Sequence, residues 1–299
     1  MDPVGLTWNM QGGGTSATPQ AKWRALEHFL FEDPTLANAG KEVVAVALQE
    51  CGIITKEHDR LIFLRSFQID GGMDLDDEAA IDLYYWRPPH DDASSGSGSS
   101  EDDASSSDGP FVQVDEDTSL DDETLEGGYY LTYVQFDYGK GPSSRVNLAL
   151  LTKQRPLDAK LTFAEWRSAL GVNLGSTDPH SGSSWIFSLH ASANHGWDAE
   201  QLLANVCAAT GRGMPWAVMG DFNKEPGDMA MRGEVLAQET HASNLHLVHT
   251  GQKTHNRSGP LRRELDYGCF TGNFAVFEMA NASRHDFGLS DHFAVIFHD

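Results

Sequence analysis

The alternation of apolar and polar residues predicts a chain built mainly of β-strands. Residues 4–10 alternate with a period of two, which is typical of a strand with one buried face. Residues 43–49 are β-branched and almost continuously apolar, as expected for a central strand that is covered on both faces. The same reasoning predicts further strands in the following segments: 61–69, 81–86, 129–136, 145–151, 185–192, 216–219, 265–270, 274–279 and 293–297.

Capping residues and helical spacing predict three helices. Thr18 is a typical N-cap residue and is followed by a proline, so a helix is predicted over 19–31. Residues 198–210 carry apolar side chains at helical spacing, and Gly211 then favours a helix end. A third helix is predicted near 229–238. Since strands outnumber helices and no repeat is found, the pattern favours a layered α/β domain.

One segment departs from this pattern. Residues 89–127 consist largely of Ser, Gly, Asp and Glu, with 13 acidic and no basic residues between positions 91 and 127. Such a composition cannot bury enough apolar surface to offset the entropy lost on ordering. We therefore predict one domain over 1–299 with a disordered acidic insertion at about 89–127. The simplest interpretation is a solvated loop, and the alternative is a segment that competes with nucleic acid or gathers cations.

The charge and the cysteines exclude some classes of protein. The formal net charge of −23 argues against a simple electrostatic DNA binder, although the insertion carries more than half of it. No apolar run approaches the length of a membrane span, and no secretory signal is present in the sequence as given. Cys51, Cys207 and Cys269 are widely spaced and odd in number, which fits neither a disulfide framework nor a structural zinc site.

Polar residues suited to metal binding or proton transfer lie at the ends of several predicted strands. They are Asn9, Glu50, His190, Asp221, Asn223, Asp266, Asp291 and His292. Each has a plain alternative, since Asp and Asn are ordinary turn residues and a lone histidine is often a satisfied core residue. Strand ends of one sheet nevertheless meet at one edge, where α/β proteins commonly place their sites. The coincidence of so many predicts a functional site there.

Seven motifs occur in a characteristic order and approximate spacing. They are TWNMQG, ALQECG, SRVNLALLTKQ, FSLHASANHGWDAEQLLANV, WAVMGDFNKEP, THNRSGPLRRELDYG and LSDHFAVIF. In these motifs the chain resembles the DNase I-like endonuclease/exonuclease/phosphatase superfamily, and in particular the catalytic B subunit of cytolethal distending toxins. The resemblance implies a four-layer α/β sandwich of two packed mixed β-sheets flanked by helices. It also implies cleavage of phosphodiester bonds with Mg²⁺, or with Mn²⁺ or Ca²⁺ instead.

The resemblance further implies a role for each candidate residue. Glu50 would be the principal metal ligand, supported by Asn9 and Asp291, because Mg²⁺ prefers hard oxygen ligands. His292 would be the general base, and Asp266 would fix its tautomer and stabilise its charged form.

The remaining candidates would contact the phosphate. His190 would act as general acid or phosphate donor, while Asp221 and Asn223 would orient the water and the phosphate. Five residues would bind substrate phosphate, the last two more weakly: Arg145, Arg167, Asn173, His255 and Arg257.

The chain departs from the family pattern at three places. Asn173 stands where the toxins have a second arginine, and QGGGTSA replaces the usual turn after the first strand. The glutamate that orients the second histidine in DNase I is matched only loosely, by Glu78 or Asp82. These departures affect substrate affinity and rate more than reaction type.

Three functions remain open on the sequence. The first is a Mg²⁺-dependent DNA endonuclease that nicks DNA. The second is a phosphatase acting on a phosphoinositide or another phosphomonoester, since one fold hosts several chemistries. The third is a catalytically silent binding subunit. A toxin-like protein would act with delivery subunits, be secreted and work in the host nucleus; otherwise an intracellular role is expected. No basic cluster indicates a nuclear signal.

Overall fold

The structure is a computed structural model that describes most of the chain. The described residues are 1–10, 18–54, 60–69, 80–89, 125–136, 147–175, 183–194, 196–211, 213–230, 245–255, 263–271 and 274–299. Most of the acidic insertion predicted at 89–127 lies outside these ranges.

The described residues form strands and helices with the following bounds. The strands are β1 (Asp2–Asn9), β2 (Lys41–Gln49), β3 (Leu61–Phe67), β4 (Ile81–Trp86), β5 (Tyr129–Val134), β6 (Leu148–Thr152), β7 (Pro156–Phe163), β8 (Ser168–Leu174), β9 (Ser184–His190), β10 (Trp216–Asp221), β11 (Leu245–Val248), β12 (Asp266–Thr271), β13 (Asn281–His285) and β14 (Ala294–His298). The helices are α1 (Pro19–Phe31), α2 (Pro34–Asn38), α3 (Asp198–Thr210) and α4 (Pro226–Ala230).

These strands pair into two mixed sheets. The first has the order β13-β14-β1-β2-β6-β5-β4-β3, and the second has the order β11-β12-β10-β9-β8-β7. Among the described strands, the parallel neighbours are β1 with β2 and β9 with β10. Each parallel pair is linked by a helix, α1 or α3, as a parallel connection requires. The carboxyl ends of all four strands therefore lie where the sheets can share one edge.

The two sheets pack face to face and carry helices on their outer faces. One apolar cluster between the sheets joins residues of both, among them Ala47, Leu150, Ile186 and Met219. A second cluster lies between the first sheet and α1, and a third lies between the second sheet and α3. The predicted four-layer α/β sandwich is confirmed.

The sequence signals at the two long helices act as expected. The Thr18 hydroxyl oxygen accepts a hydrogen bond from the Ala21 backbone N–H at 3.2 Å, and α1 then begins at Pro19. Helix α3 ends at Gly211, whose φ of 86° lies in the region that favours glycine. Both predicted ranges, 19–31 and 198–210, are confirmed.

Several elements differ from the sequence-based expectation. The predicted strand at 274–279 is wrong: this segment is irregular, and its apolar residues Phe277 and Met279 are buried in the inter-sheet cluster instead. Five elements were not predicted: α2, β7, β8, β11 and β13. The helix predicted near 229–238 overlaps α4, while 231–238 lies outside the described residues.

Two further observations concern the cysteines and the helices. Cys51, Cys207 and Cys269 are free thiols, and burial raises the pKa of both Cys51 and Cys269. None of the described helices combines the length and the apolar character needed to cross a membrane.

Gly220 allows β10 to approach β9 closely, and replacing it tests this packing. A Cβ at Gly220 would lie 1.9 Å from the Leu189 carbonyl oxygen, a backbone atom that cannot move aside cheaply. We expect Gly220→Ala to lower the free energy of unfolding by roughly 2 kcal/mol or more, measured by urea denaturation. Gly227→Ala is the control, because a Cβ there meets nothing within 4 Å. Equal stability of the two variants would contradict the close approach.

Candidate active site

The site lies at the shared edge where both parallel strand pairs end. Asn9 and Glu50 come from the ends of β1 and β2 in the first sheet. In the second sheet, Asp221 is the register partner of His190 on one side and of Asp266 on the other. The strand register alone therefore places three of the predicted residues side by side.

The Asp221 carboxylate joins the two sheets. Its Oδ2 accepts a hydrogen bond from Asn9 Nδ2 at 2.9 Å, and its Oδ1 accepts one from the Asn223 backbone N–H at 2.8 Å. Asp221 is only 2% exposed, so these bonds offset part of the cost of burying the carboxylate. Asn9 and Asp221 thus form one unit, although they belong to different sheets.

His292 is held by a buried carboxylate. Its Nδ1 lies 2.8 Å from Asp266 Oδ2, and both side chains are buried. The Nδ1–H donates to Asp266, which leaves Nε2 as the nitrogen that can accept a proton. That Nε2 lies 3.9 Å from Asp221 Oδ2 and 3.8 Å from Asp291 Oδ1.

The carboxylates around His292 shift its pKa. Burial of the ring disfavours the charged form, but Asp266, Asp221 and Asp291 outweigh burial and raise the pKa of His292 to about 10. Burial, and then the negative charge of Asp266, also raise the pKa of Asp221. The site therefore holds more negative charge than the positive groups around it balance.

A second imidazole faces the same carboxylate. His190 Nε2 lies 4.0 Å from Asp221 Oδ2 and 3.7 Å from Glu50 Oε1, and the ring is buried. Because the Nε2 atoms of His190 and His292 both lie within 4.0 Å of one oxygen, their separation is at most twice that distance. Two imidazoles thus approach one carboxylate oxygen, one from the end of β9 and one from the segment before β14.

Two site residues adopt a left-handed backbone conformation. Among the described residues, Glu50 (φ 48°) and Asn223 (φ 50°) are the non-glycine residues with positive φ. Asn tolerates this conformation better than most residues, whereas Glu does not. Asn223 is also fixed by a 2.8 Å hydrogen bond from its Nδ2 to the Ala191 carbonyl oxygen. Backbone strain of this kind concentrates at functional sites.

The structure describes three of the five predicted phosphate-binding residues. His255 lies beside His292, with ring centroids 4.7 Å apart, and its Nε2 is 3.7 Å from Asp291 Oδ2. Arg167 lies at the rim, because it precedes β8, whose Ala169 pairs with Leu189 next to His190. Arg145 and Arg257 lie outside the described residues.

Asn173 is not brought to the site. It pairs with Trp185 near the opposite end of β8, about 17 Å along the strand from Ser168. The hypothesis that Asn173 binds substrate phosphate is therefore wrong for this arrangement, because its strand runs away from the edge that carries His190.

Asp82, considered as a partner for the second histidine, instead accepts hydrogen bonds from Ser66 and Tyr84.

Solved structures match the fold of this chain, while no family model and no curated protein matches the sequence. The cytolethal distending toxin from Actinobacillus actinomycetemcomitans superposes with a TM-score of 0.66 at 22% identity, over 99% of this chain and 97% of that chain. The toxin from Haemophilus ducreyi gives a TM-score of 0.65 at 21% identity, with the same coverage of 99% and 97%. The chain has the DNase I-like fold.

A further solved structure has a similar fold. An endonuclease/exonuclease/phosphatase family protein from Leptotrichia buccalis gives a TM-score of 0.53 at 15% identity, over 98% of each chain. At these identities the likeness concerns the fold, so the chemistry of the site rests on the residues themselves.

The donor set of this candidate site suits a divalent cation. Among the described residues, two groups of three side chains could hold an ion, and within each group the ligand atoms lie within 4.8 Å of one another. The first group is His255, Asp291 and His292, and the second is Asp221, Asp266 and His292. Glu50, expected as the principal ligand, belongs to neither group and faces His190. The surplus of carboxylates is what a hard cation would neutralise, so the residues fit such an ion.

Several supporting residues were missed in the sequence. Lys22 of α1 is fully buried, and its Nζ donates to the Met10 carbonyl oxygen at 2.5 Å. Burial lowers the pKa of Lys22, against the opposing influence of Glu50 and Asp291. A lysine next to Trp23 on the apolar side of a helix was the available signal.

Ser290 and Thr254 support the His292 side. The Ser290 hydroxyl donates to the Asn9 carbonyl oxygen at 2.7 Å and accepts from the His292 backbone N–H at 3.1 Å. The Thr254 hydroxyl oxygen accepts from the Asp266 backbone N–H at 3.1 Å. Serine and threonine in such segments carry no distinctive sequence signal.

The raised pKa values predict how stability depends on pH in the absence of metal. Stabilisation by protonated His292 is complete below its ordinary pKa of 6.5 and is lost as pH rises through about 10. The raised pKa of Asp221 acts in the same direction but at lower pH, between its ordinary pKa of 3.8 and about 7, so the fall above pH 7 comes from His292. We expect unfolding midpoints in urea with chelator to fall between pH 7 and pH 10. His292→Gln should flatten this fall, and an equally steep fall in that variant would contradict the assignment.

The left-handed conformation of Glu50 gives a second prediction. Glu50→Gly relieves the backbone strain, whereas Glu50→Ala retains it after the same loss of the carboxylate. We therefore expect Glu50→Gly to be more stable than Glu50→Ala by about 1 kcal/mol in thermal or urea unfolding. If the alanine variant is the more stable of the two, the left-handed conformation at this position is not retained in solution.

Proposed function

We propose that this protein is a Mg²⁺-dependent phosphodiesterase that nicks DNA. The observation that carries the proposal is the placement of His190 and His292, whose Nε2 atoms face one oxygen of Asp221 at 4.0 and 3.9 Å. Hydrolysis of a phosphodiester requires a proton to leave the attacking water and a proton to reach the leaving oxygen. Two imidazoles whose Nε2 atoms both lie within 4.0 Å of one oxygen suit both tasks.

His292 acts as the general base in this proposal. Its Nε2 takes a proton from the attacking water, while Asp266 holds the ring through Nδ1 and stabilises the imidazolium that forms. The Asp266 carboxylate is fully buried, so its charge acts on His292 with little screening by solvent.

His190 acts on the other side of the phosphorus. Its Nε2 gives a proton to the leaving oxygen or donates a hydrogen bond to the phosphate, and it lies 3.7 Å from Glu50 Oε1 and 4.0 Å from Asp221 Oδ2. Asn223 orients the phosphate together with Asp221. Its backbone N–H donates to Asp221 Oδ1 and its Nδ2 donates to the Ala191 carbonyl oxygen, and these two bonds fix its position.

The cation is proposed to be held by Glu50, Asp291 and Asn9, because their side chains offer the oxygen ligands that Mg²⁺ prefers. When bound, Mg²⁺ would supply positive charge that neutralises the phosphate oxygens. The same charge would offset the negative carboxylates that raise the pKa of His292. Arg167 at the rim would add a guanidinium to the phosphate, since Arg recognises such groups in a bidentate manner.

DNA is the proposed substrate because the chain matches the toxin structures over nearly its full length and carries the toxin-like motifs. One matching structure, at a TM-score of 0.64 and 20% identity, is described as the biologically active subunit of cytolethal distending toxin. Assembly with delivery subunits belongs to the same proposal.

Two assays run side by side test the reaction and its substrate. Nicking of supercoiled plasmid is measured with Mg²⁺ and with chelator, and phosphate release is measured from a soluble phosphoinositide. The proposal requires Mg²⁺-dependent nicking and little phosphate release. Phosphate release without nicking would assign a phosphatase. The absence of both reactions would favour a catalytically silent binding subunit.

Removing either histidine should abolish most of the activity. We expect His292→Ala and His190→Ala each to reduce the nicking rate by on the order of a hundredfold or more, the usual contribution of acid–base catalysis. His28→Ala is the control, because His28 is exposed on α1 and pairs with Glu32. Near wild-type nicking by one catalytic variant would refute the role of that histidine alone.

A further inference from the structure

Two exposed tryptophans lie on the loops around the β9 end. Among the described residues, the exposed large apolar side chains are Met1, Ile53, Phe63, Leu157, Trp166 and Trp197. Trp166 is 51% exposed and Trp197 is 61% exposed. Tryptophan gains much from burial, so two exposed rings beside one site require an explanation.

Trp166 lies in the turn that joins β7 to β8. The Ala164 backbone N–H donates to the Arg167 carbonyl oxygen at 2.8 Å and closes this turn. Since Ala169 pairs with Leu189, the turn lies beside the end of β9, which carries His190. Trp166 therefore stands on the rim of the site.

Arg167, next to Trp166, has a donor that the described structure does not satisfy. Its Nε is buried and has no hydrogen-bond partner within the described part of the chain. A buried guanidinium donor of this kind is costly unless a ligand accepts from it. The turn thus presents an aromatic ring and an arginine side by side.

Trp197 lies directly before α3, in the loop that follows β9. Two contacts fix this loop: the Ser192 backbone N–H donates to Asp198 Oδ2 at 2.7 Å, and Lys224 Nζ donates to the Gly196 carbonyl oxygen at 2.6 Å. Lys224 Nζ also lies 5.9 Å from the Trp197 ring centroid, within cation–π range.

The Trp197 loop is also connected to the site residues. Asn223, the neighbour of Lys224, donates from its Nδ2 to the Ala191 carbonyl oxygen in the same loop. Trp197 therefore lies on a loop whose position is fixed by a hydrogen bond to Asn223, the residue proposed to orient the phosphate.

The charge of the chain limits how it can bind a polyanion. At a formal charge of −23, binding through phosphate contacts and counterion release alone is unfavourable. Stacking of bases on aromatic rings does not depend on net charge, and it requires bases that are not already stacked in a duplex. On the Trp166 loop an arginine stands next to the ring, which is the arrangement that accepts a base and its phosphate together. On the Trp197 loop the neighbouring cation, Lys224, is ion-paired with Glu200, so the ring itself is the stacking element there.

We propose that Trp166 and Trp197 form a base-stacking subsite for single-stranded nucleic acid, with one ring on each side of the β9 end. This inference rests on the proposed function, because it assumes that the site accepts a phosphodiester. It adds that unpaired bases next to the cleaved bond are bound, so single-stranded or locally opened substrate is preferred to closed duplex.

Fluorescence anisotropy with a short fluorescein-labelled oligothymidylate tests the subsite, with chelator present to prevent cleavage. We expect Trp166→Ala and Trp197→Ala each to raise the dissociation constant about tenfold, the usual loss for one stacked base. The corresponding Trp→Phe variants keep a stacking ring and should recover most of the affinity. For a labelled duplex of the same length, the alanine variants should change binding by less than about twofold.

Phe63→Ala is the matched control for loss of an exposed aromatic ring. Phe63 is 48% exposed and lies on β3, four strands or about 19 Å from β2. Its replacement should leave binding unchanged. Unchanged oligothymidylate binding in both tryptophan variants, or equal losses for single strand and duplex, would overturn the proposal.

Plasmid nicking by the wild-type protein separates this proposal from the proposed function. Tryptophan-dependent binding without Mg²⁺-dependent nicking would retain the subsite and refute the reaction. If the wild-type protein nicks plasmid and the tryptophan variants bind oligothymidylate as tightly as the wild-type protein does, the reaction is retained and the subsite is refuted.

Discussion

The hydrogen bond from Asn9 to Asp221 connects the two sheets at the edge where the parallel strands of each sheet end. A second buried connection lies behind it, where Gln49 Nε2 donates to Ser188 Oγ at 2.9 Å and Ser188 Oγ donates to the Leu48 carbonyl oxygen. Apolar packing alone tolerates sliding of one sheet over another, whereas buried polar groups must meet defined partners. These bonds therefore specify how the sheets dock, and the distances among the two histidines and Asp221 follow from that docking.

The same edge concentrates negative charge where solvent cannot screen it. Asp221 and Asp266 are paired in register on neighbouring strands, and His292 lies between them and Asp291. Such an arrangement lowers stability in the absence of a compensating cation, and Lys22 supplies only part of the compensation. The proposed proton transfer and cation binding would therefore be electrostatically linked.

Sequence patterns predicted most of the architecture, since the strands that form the centres of both sheets are continuous apolar runs. Strands β7 and β11 were missed because they lie at or near a sheet edge, where half-exposed residues weaken the pattern. The irregular segment at 274–279 was predicted as a strand because burial against another layer selects the same apolar residues as a strand does.

The candidate residues at strand ends were recognisable as a group, but their distances depend on register and docking. Asn173 illustrates the limit: its motif position suggested the phosphate, while the register of β8 places it at the far end. Finally, Ser290 bonds to Asn9 across 281 positions, and β14 pairs with β1. Contacts between such distant segments form late, because closure of the intervening chain costs entropy first. His292 donates its backbone N–H to the Ser290 hydroxyl, so the site is complete only once these distant segments have met.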